Sequence, residues 1–222
     1  RRLCDAAAFG VTNRTAYYTL RTVAPAQPGD WVVVLGAGGG GVGLAAVDIA
    51  VLMGAKVVAA ASGAEKLEVC RRRGATEVID YDREDLKSRL KEITGEAGTR
   101  VVLDPVGGHY SEPALRSLGR GGKFVTLGYA AGEIPRIPLN LVMLKGITVQ
   151  GMEIRTFATD YPRRHRAQRR RACAVVRRGQ AAPVPRGGEV PAGAGGDRAA
   201  LRRRPQSDRQ GRHRRHLGRP RA

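Results

Sequence analysis

From Trp31 onward, apolar and polar positions come in blocks. Trp31-Val32-Val33-Val34-Leu35 is a continuous apolar run, the pattern of a strand covered on both faces. A glycine cluster follows, then apolar residues at helical spacing from Leu44 to Met53, with Gly54 as the stop. The unit repeats, with Lys56 to Ala60 as a second strand and Ala64 to Arg73, closed by Gly74, as a second helix. Glu77 to Asp80 reads as strand three and Glu84 to Ile93 as a helix; Arg100 to Asp104 reads as strand four and Tyr110 to Leu118 as a helix. Lys123 to Leu127 gives strand five and, after a loop bearing Pro135 and Pro138, Ile147 to Gln150 gives strand six. Strands alternating with helices need right-handed crossovers, which predicts an α/β fold built on one doubly wound, parallel, six-stranded sheet.

Between strand one and the first helix stands Gly36-Ala37-Gly38-Gly39-Gly40-Gly41-Val42-Gly43. Residues without Cβ let a tight turn bring backbone N–H groups and a helix N-terminus onto a pyrophosphate. The surplus glycines fit a G-x-G-x-x-G pattern in two registers, 36/38/41 and 38/40/43, and the strand-to-helix context supports a dinucleotide site. An acidic residue at the end of strand two would hold the ribose hydroxyls of NAD. Here the strand ends Ala60-Ala61-Ser62-Gly63 with Lys66 one helical turn later, a neutral end beside a cation, which suits the 2′-phosphate of NADP(H).

Composition splits the chain. Of 222 residues, 42% are hydrophobic, and the net charge of +19 suggests a nucleic-acid partner until it is divided. Residues 1–162 hold 20 Lys+Arg against 17 Asp+Glu, a net of +3. Residues 163–222 hold 19 Arg and no Lys against Glu189, Asp197 and Asp208, a net of +16, and lack Ile, Met, Asn and every aromatic. Such a tail cannot bury enough apolar surface to order itself, so it is expected to be disordered. With no aromatic platform for bases and no recognition module, it predicts no specific nucleic-acid partner. Cys4, Cys70 and Cys173 lie far apart and the four histidines are scattered, so no metal site is expected and the thiols fit a reducing, cytoplasmic setting. No apolar run is long enough for a membrane span.

One set of motifs runs through the body: Ala8-Phe9-Gly10-Val11-Thr12-Asn13-Arg14-Thr15-Ala16-Tyr17, the loop Gly36 to Gly43 with Leu44-Ala45-Ala46, and Ala60 to Lys66. Gly74-Ala75, Ile79-Asp80-Tyr81, Asp104-Pro105-Val106-Gly107-Gly108, Gly121-Gly122-Lys123 and Ile134 to Asn140 complete it. Through these motifs residues 5–157 resemble the zinc-independent quinone oxidoreductases of the medium-chain dehydrogenase/reductase superfamily. The resemblance implies a Rossmann domain over residues 31–155, after a connecting helix and linker in 1–30, with a non-family tail over 156–222. It also implies NADPH along Gly38, Gly39, Gly40, Gly41, Val42 and Gly43, with the 2′-phosphate at Ser62, Lys66 and Tyr81. The nicotinamide would approach Thr12, Val106, Leu127, Gly128 and Tyr129. The implied activity is hydride transfer from NADPH to a quinone or other electrophilic alkene, without metal, by an intact protein that pairs as a homodimer; no catalytic side chain is implied.

Two departures stand out. The family loop reads G-A-A-G-G-V-G, so this chain carries one glycine more. Family members also begin with a GroES-like catalytic domain, and this chain is expected to start at the connecting helix. The tail reads as an out-of-frame product of GC-rich DNA: permissible codons for Val176 to Pro183, shifted by one base, spell F-A-A-G-K-L-R-P, a family-like segment. Val190 to Arg202, shifted likewise, can spell F-P-L-E-Q-A-A-I-A-L-R-Y-A, and Arg203 to Arg214 then spells A-D-R-K-A-I-G-K-V-V-I, which resembles the family's closing helix and strand. Two other functions fit the same residues: an enoyl-thioester or alkene reductase of the same superfamily, and a nucleotide- or nucleic-acid-binding protein without chemistry.

Overall fold

All six expected strands form one parallel sheet in the computed structural model, which describes residues 10–160 together with 162, 163, 166 and 167. They are β1 (Trp31–Leu35), β2 (Lys56–Ala61), β3 (Glu77–Asp80), β4 (Thr99–Asp104), β5 (Leu118–Thr126) and β6 (Thr148–Gly151), in the order β3-β2-β1-β4-β5-β6. The order reverses between β1 and β4, and in such sheets the crevice at the reversal is where a dinucleotide lies. The helices are α1 (Thr12–Tyr18), α2 (Gly41–Leu52), α3 (Ala64–Arg72), α4 (Leu86–Thr94), α5 (Ser111–Arg116), α6 (Leu139–Lys145) and α7 (Ile154–Asp160).

Alternate residues of each central strand feed opposite faces, and both faces are covered. Val32, Val34, Val57, Ala59, Val101, Leu103 and Val125 pack with Ala16, Tyr18, Leu20 and the Leu44–Ala50 stretch of α2. Val33, Leu35, Val58, Ala60, Val102 and Phe124 pack with Leu86, Leu90, Ala114 and Leu115 on the other side. The helix α7 adds Phe157, whose ring sits 3.9 Å from that of Tyr18.

Element boundaries moved where a local hydrogen bond or glycine decides them. The fourth helix starts at Leu86 rather than Glu84 because Asp85 caps it, its carboxylate accepting the Ser88 N–H at 2.8 Å. The helix expected from Tyr110 to Leu118 splits into a short turn over Gly108–Tyr110 and α5, and Leu118 already opens β5. Gly119 makes that early start feasible, since a Cβ there would stand 2.2 Å from the Ala97 carbonyl oxygen. The register of β5 against β4 shifts between Thr99 and Val101. Residues 139–145, expected as loop, form α6, which buries no side chain fully and rests Leu141 and Val142 on the core. The expected tail falls almost wholly outside the described residues, as do Ala8 and Phe9.

Candidate functional site

Parallel strands point their carboxyl ends to one edge, so the loops after β1, β2, β4 and β5 gather there. After β1 the chain turns through Gly36 in the left-handed region (φ 62°), and Gly40 and Gly41 adopt φ 78° and 57°. A Cβ on Gly43 would lie 2.5 Å from the Gly36 carbonyl oxygen, and one on Gly38 would lie 2.4 Å from Lys66 Cβ. Gly39 has neither constraint: nothing stands within 4 Å of a Cβ there. Gly39 is therefore the glycine that could carry a side chain here. The helix α2 starts with no side-chain cap, leaving its first N–H groups and dipole for an anion.

On one side of this loop, Ser62 follows β2 and Lys66 stands on α3. The ammonium of Lys66 donates to Ser62 Oγ at 3.2 Å. Tyr81 follows β3 and stacks on Tyr110 with ring centroids 4.2 Å apart. Burial pushes the Tyr81 phenol up to about 12, with Tyr110 and Asp82 adding to the effect and a hydrogen bond with Ser62 opposing it, so the group is a neutral hydrogen-bonding partner. The sheet also brings in a carboxylate that linear spacing did not show. The register pairs Ala61 of β2 with Asp80 of β3. That carboxylate is occupied, accepting the N–H groups of Gly63 (3.4 Å) and Asp82 (3.3 Å) and facing Arg83 at 3.9 Å. It leaves the Lys66 ammonium as a cation and the Ser62 hydroxyl as a neutral donor on this side.

On the other side, Val106 follows β4 and packs over the phosphate loop, its Cγ2 only 2.7 Å from where a Gly36 Cβ would be. Leu127, Gly128 and Tyr129 follow β5 and line a cavity of about 640 Å³ together with Thr126, Met152, Glu153 and Phe157. The Thr126 hydroxyl is buried without a hydrogen-bond partner, an unmet polar group at the wall of this space. Glu153 is held down to about 2 by the Thr156 N–H, the Arg155 guanidinium and the Thr156 hydroxyl, so it stays charged. Thr12 opens α1, whose packing runs to α2, and it does not line that cavity. The expected residues thus form a glycine turn flanked by two groups, and Thr12 does not line the cavity beside the second. Thr126 and Asp104, both missed as site residues, sit at strand ends whose neighbours are set by sheet order.

This arrangement can be set beside known proteins. Residues 41–166 match the family model described as zinc-binding dehydrogenase. The chain belongs to that family. Within it the likeness runs to quinone oxidoreductases of the medium-chain dehydrogenase/reductase superfamily. Quinone oxidoreductase-like protein 2 of Bos taurus is 40% identical over 151 residues, 68% of this chain and 43% of the bovine protein. The crystal structure of Escherichia coli quinone oxidoreductase complexed with NADPH aligns with a TM-score of 0.73 and 31% identity, over 80% of this chain and 54% of that one. An enoyl reductase domain of a polyketide synthase aligns with a TM-score of 0.69 and 29% identity, over 80% of this chain and 97% of that domain. The chain spans less than half the length of the curated quinone oxidoreductases it matches. The family's name implies zinc, but among the described residues no group of three or more His, Cys, Asp or Glu could hold a metal ion. These residues do not fit that metal. Nor is any described helix long and apolar enough to cross a membrane.

Proposed function

We propose that the chain binds NADP(H) along the carboxyl edge of the sheet and forms the cofactor half of a reductase acting on quinones or other electrophilic alkenes. The observation that carries this reading is the uncapped start of α2 beneath the Gly36–Gly43 turn, with the Ser62–Lys66 pair one strand away. The N–H groups of the loop and of α2 would hold the pyrophosphate, while Lys66 and Ser62, with the neutral phenol of Tyr81, would hold the 2′-phosphate. The close approach at Gly38 keeps Lys66 against the loop. NADPH, when bound, supplies the hydride. The far half of the dinucleotide would then extend over β4 and β5, beside Val106, Gly128, Tyr129 and the cavity wall.

The direct test is a fluorescence titration of the wild type and Lys66→Ala with NADPH and NADH. A hydrogen-bonded charge pair contributes about 1.5–3 kcal/mol, so NADPH should bind about tenfold to a hundredfold tighter than NADH in the wild type. Lys66→Ala should remove most of that preference while leaving NADH affinity unchanged; equal wild-type affinities would sink the reading. An enoyl-thioester reductase is the second reading, favoured by the alignment across nearly all of the polyketide enoyl reductase domain. Both substrate classes present a polarised alkene to the same cofactor edge, and turnover of the full-length protein with a quinone and with an enoyl thioester separates them.

We also infer that the intact protein pairs with a second copy through β6. This strand is the sheet's edge among the described residues, all four of its residues are exposed, and Leu139, Met143 and Leu144 of α6 are bare nearby.

A further inference from the structure

Asp104 is fully buried at the carboxyl end of β4, the strand beside β1 at the reversal of strand order. A buried carboxylate is costly unless its lone pairs are filled, and here they are. One oxygen accepts the N–H groups of Val106 and Gly107, both at 2.8 Å, and the other accepts the Ser111 hydroxyl. The turn it holds passes through Gly107 and Gly108 at φ 72° and 63°, a backbone with little preference of its own. That turn in turn holds its neighbours. The N–H groups of Ala130 and Ala131 donate to the carbonyls of Pro105 and Val106 at 3.2 and 2.8 Å, and the Gly108 N–H donates to the Glu133 carbonyl at 2.9 Å. Through the close approach of Val106 to Gly36 the same turn abuts the phosphate loop. One carboxylate therefore sets the loops after β4 and β5 against the loop after β1.

The geometry points to Asp104 as the positioning residue for the half of the dinucleotide that carries the nicotinamide. This rests on the NADP(H) reading. With the adenosine end at Ser62 and Lys66 over β2 and β3, a dinucleotide crossing the reversal must lay its other half over β4 and β5. The Asp104 network holds the loops on that side, whereas the Ser62–Lys66 pair has its own hydrogen bond on the other. Loss of the carboxylate should loosen one end of the ligand and spare the other.

The experiment compares NADPH with adenosine 2′,5′-bisphosphate, which has only the adenosine end, on the full chain and on Asp104→Asn. In the wild type NADPH should bind tighter than the bisphosphate, and its nicotinamide emission should rise and shift to the blue. Asp104→Asn, which replaces charge-assisted hydrogen bonds by neutral ones, should weaken NADPH about tenfold, leave the bisphosphate within about twofold and erase the emission change. A purely structural cap would leave the ratio of the two affinities as it was, and that result overturns the inference. So would a wild type that binds both ligands equally. If the wild type binds neither, the NADP(H) reading itself falls and the inference with it. Should Asp104→Asn not fold, Ser111→Ala keeps the charge and removes one donor; a smaller loss confined to NADPH supports the role, and an unchanged ratio overturns it.

Discussion

Two adjacent glycines of the phosphate loop make opposite demands. Gly38 has Lys66 Cβ at 2.4 Å and its carbonyl oxygen at 2.7 Å from a would-be methyl, and backbone cannot yield cheaply. Gly38→Ala should cost about 1–3 kcal/mol, as overpacking does, and should weaken NADPH by displacing Lys66. Gly39→Ala, with open space around it, should unfold within about 0.5 kcal/mol of the wild type. Thermal melts of the two variants decide between this and a loop in which every glycine is needed. At this scale much of the site was legible in the sequence: the loop, Ser62 and Lys66 announce themselves by type and spacing. Asp80 and Asp104 did not, because the value of a carboxylate depends on which N–H groups surround it. Asp104-Pro105-Val106-Gly107-Gly108 offered a signal, an acidic residue before a double glycine, but only the folded turn shows both N–H groups aimed at it.

At the scale of elements, α2 and α3 are joined by Asp48 and Arg73, whose guanidinium lies 2.8 Å from the carboxylate. Burial outweighs that attraction and pushes the Asp48 carboxyl up from 3.8 to about 6. The folded protein thus holds this proton more tightly than the unfolded chain does. Stability from this residue is present below about pH 4 and is lost as pH rises through about 6, at a cost of about 3 kcal/mol for a hundredfold difference in proton affinity. Denaturant unfolding between pH 4 and 7 should show that decline, and Asp48→Asn should flatten it; an equal slope in the variant would refute the assignment. Strand and helix types were readable from their periods, since β1, β2 and β4 are apolar on both faces and α4 on one. The limits of β5 and the existence of α6 were not. Gly119 to Gly122 look like a turn in sequence, yet β4 pairs on either side of them, Thr99 with Leu118 and Val101 with Lys123, and the register shift between carries the strand past them. Of the apolar residues of α6, Leu141 and Val142 rest only partly buried on the core while Leu139, Met143 and Leu144 are exposed, so they cast no clear core-facing pattern.

For the whole molecule, two expectations concern what lies beyond the sheet. If β6 pairs with its counterpart in a second copy, sedimentation of the full-length protein should give a dimer, and Val149→Lys, a charge placed on the edge, should give monomers. Every residue proposed to touch NADP(H), the cavity wall as far as Phe157 included, lies before position 158, so a chain ending at 167 should bind NADPH within about twofold of the full chain, well below the tenfold step of 1.4 kcal/mol. Loss of binding on that deletion would show that the arginine-rich segment serves the site. The sequence by itself determined the fold class and the glycine turn after β1, because a buried parallel strand and a tight glycine turn are local demands that leave local marks. It also marked the change of character near residue 163, since composition needs no structure to be counted. Tertiary structure alone decided which glycine is spare, where Asp80 and Asp104 find their hydrogen bonds, and that the Thr126 hydroxyl is buried without a partner beside a cavity. Those properties belong to neighbours brought together by strand order, and strand order places β4 beside β1 across nearly seventy residues of chain.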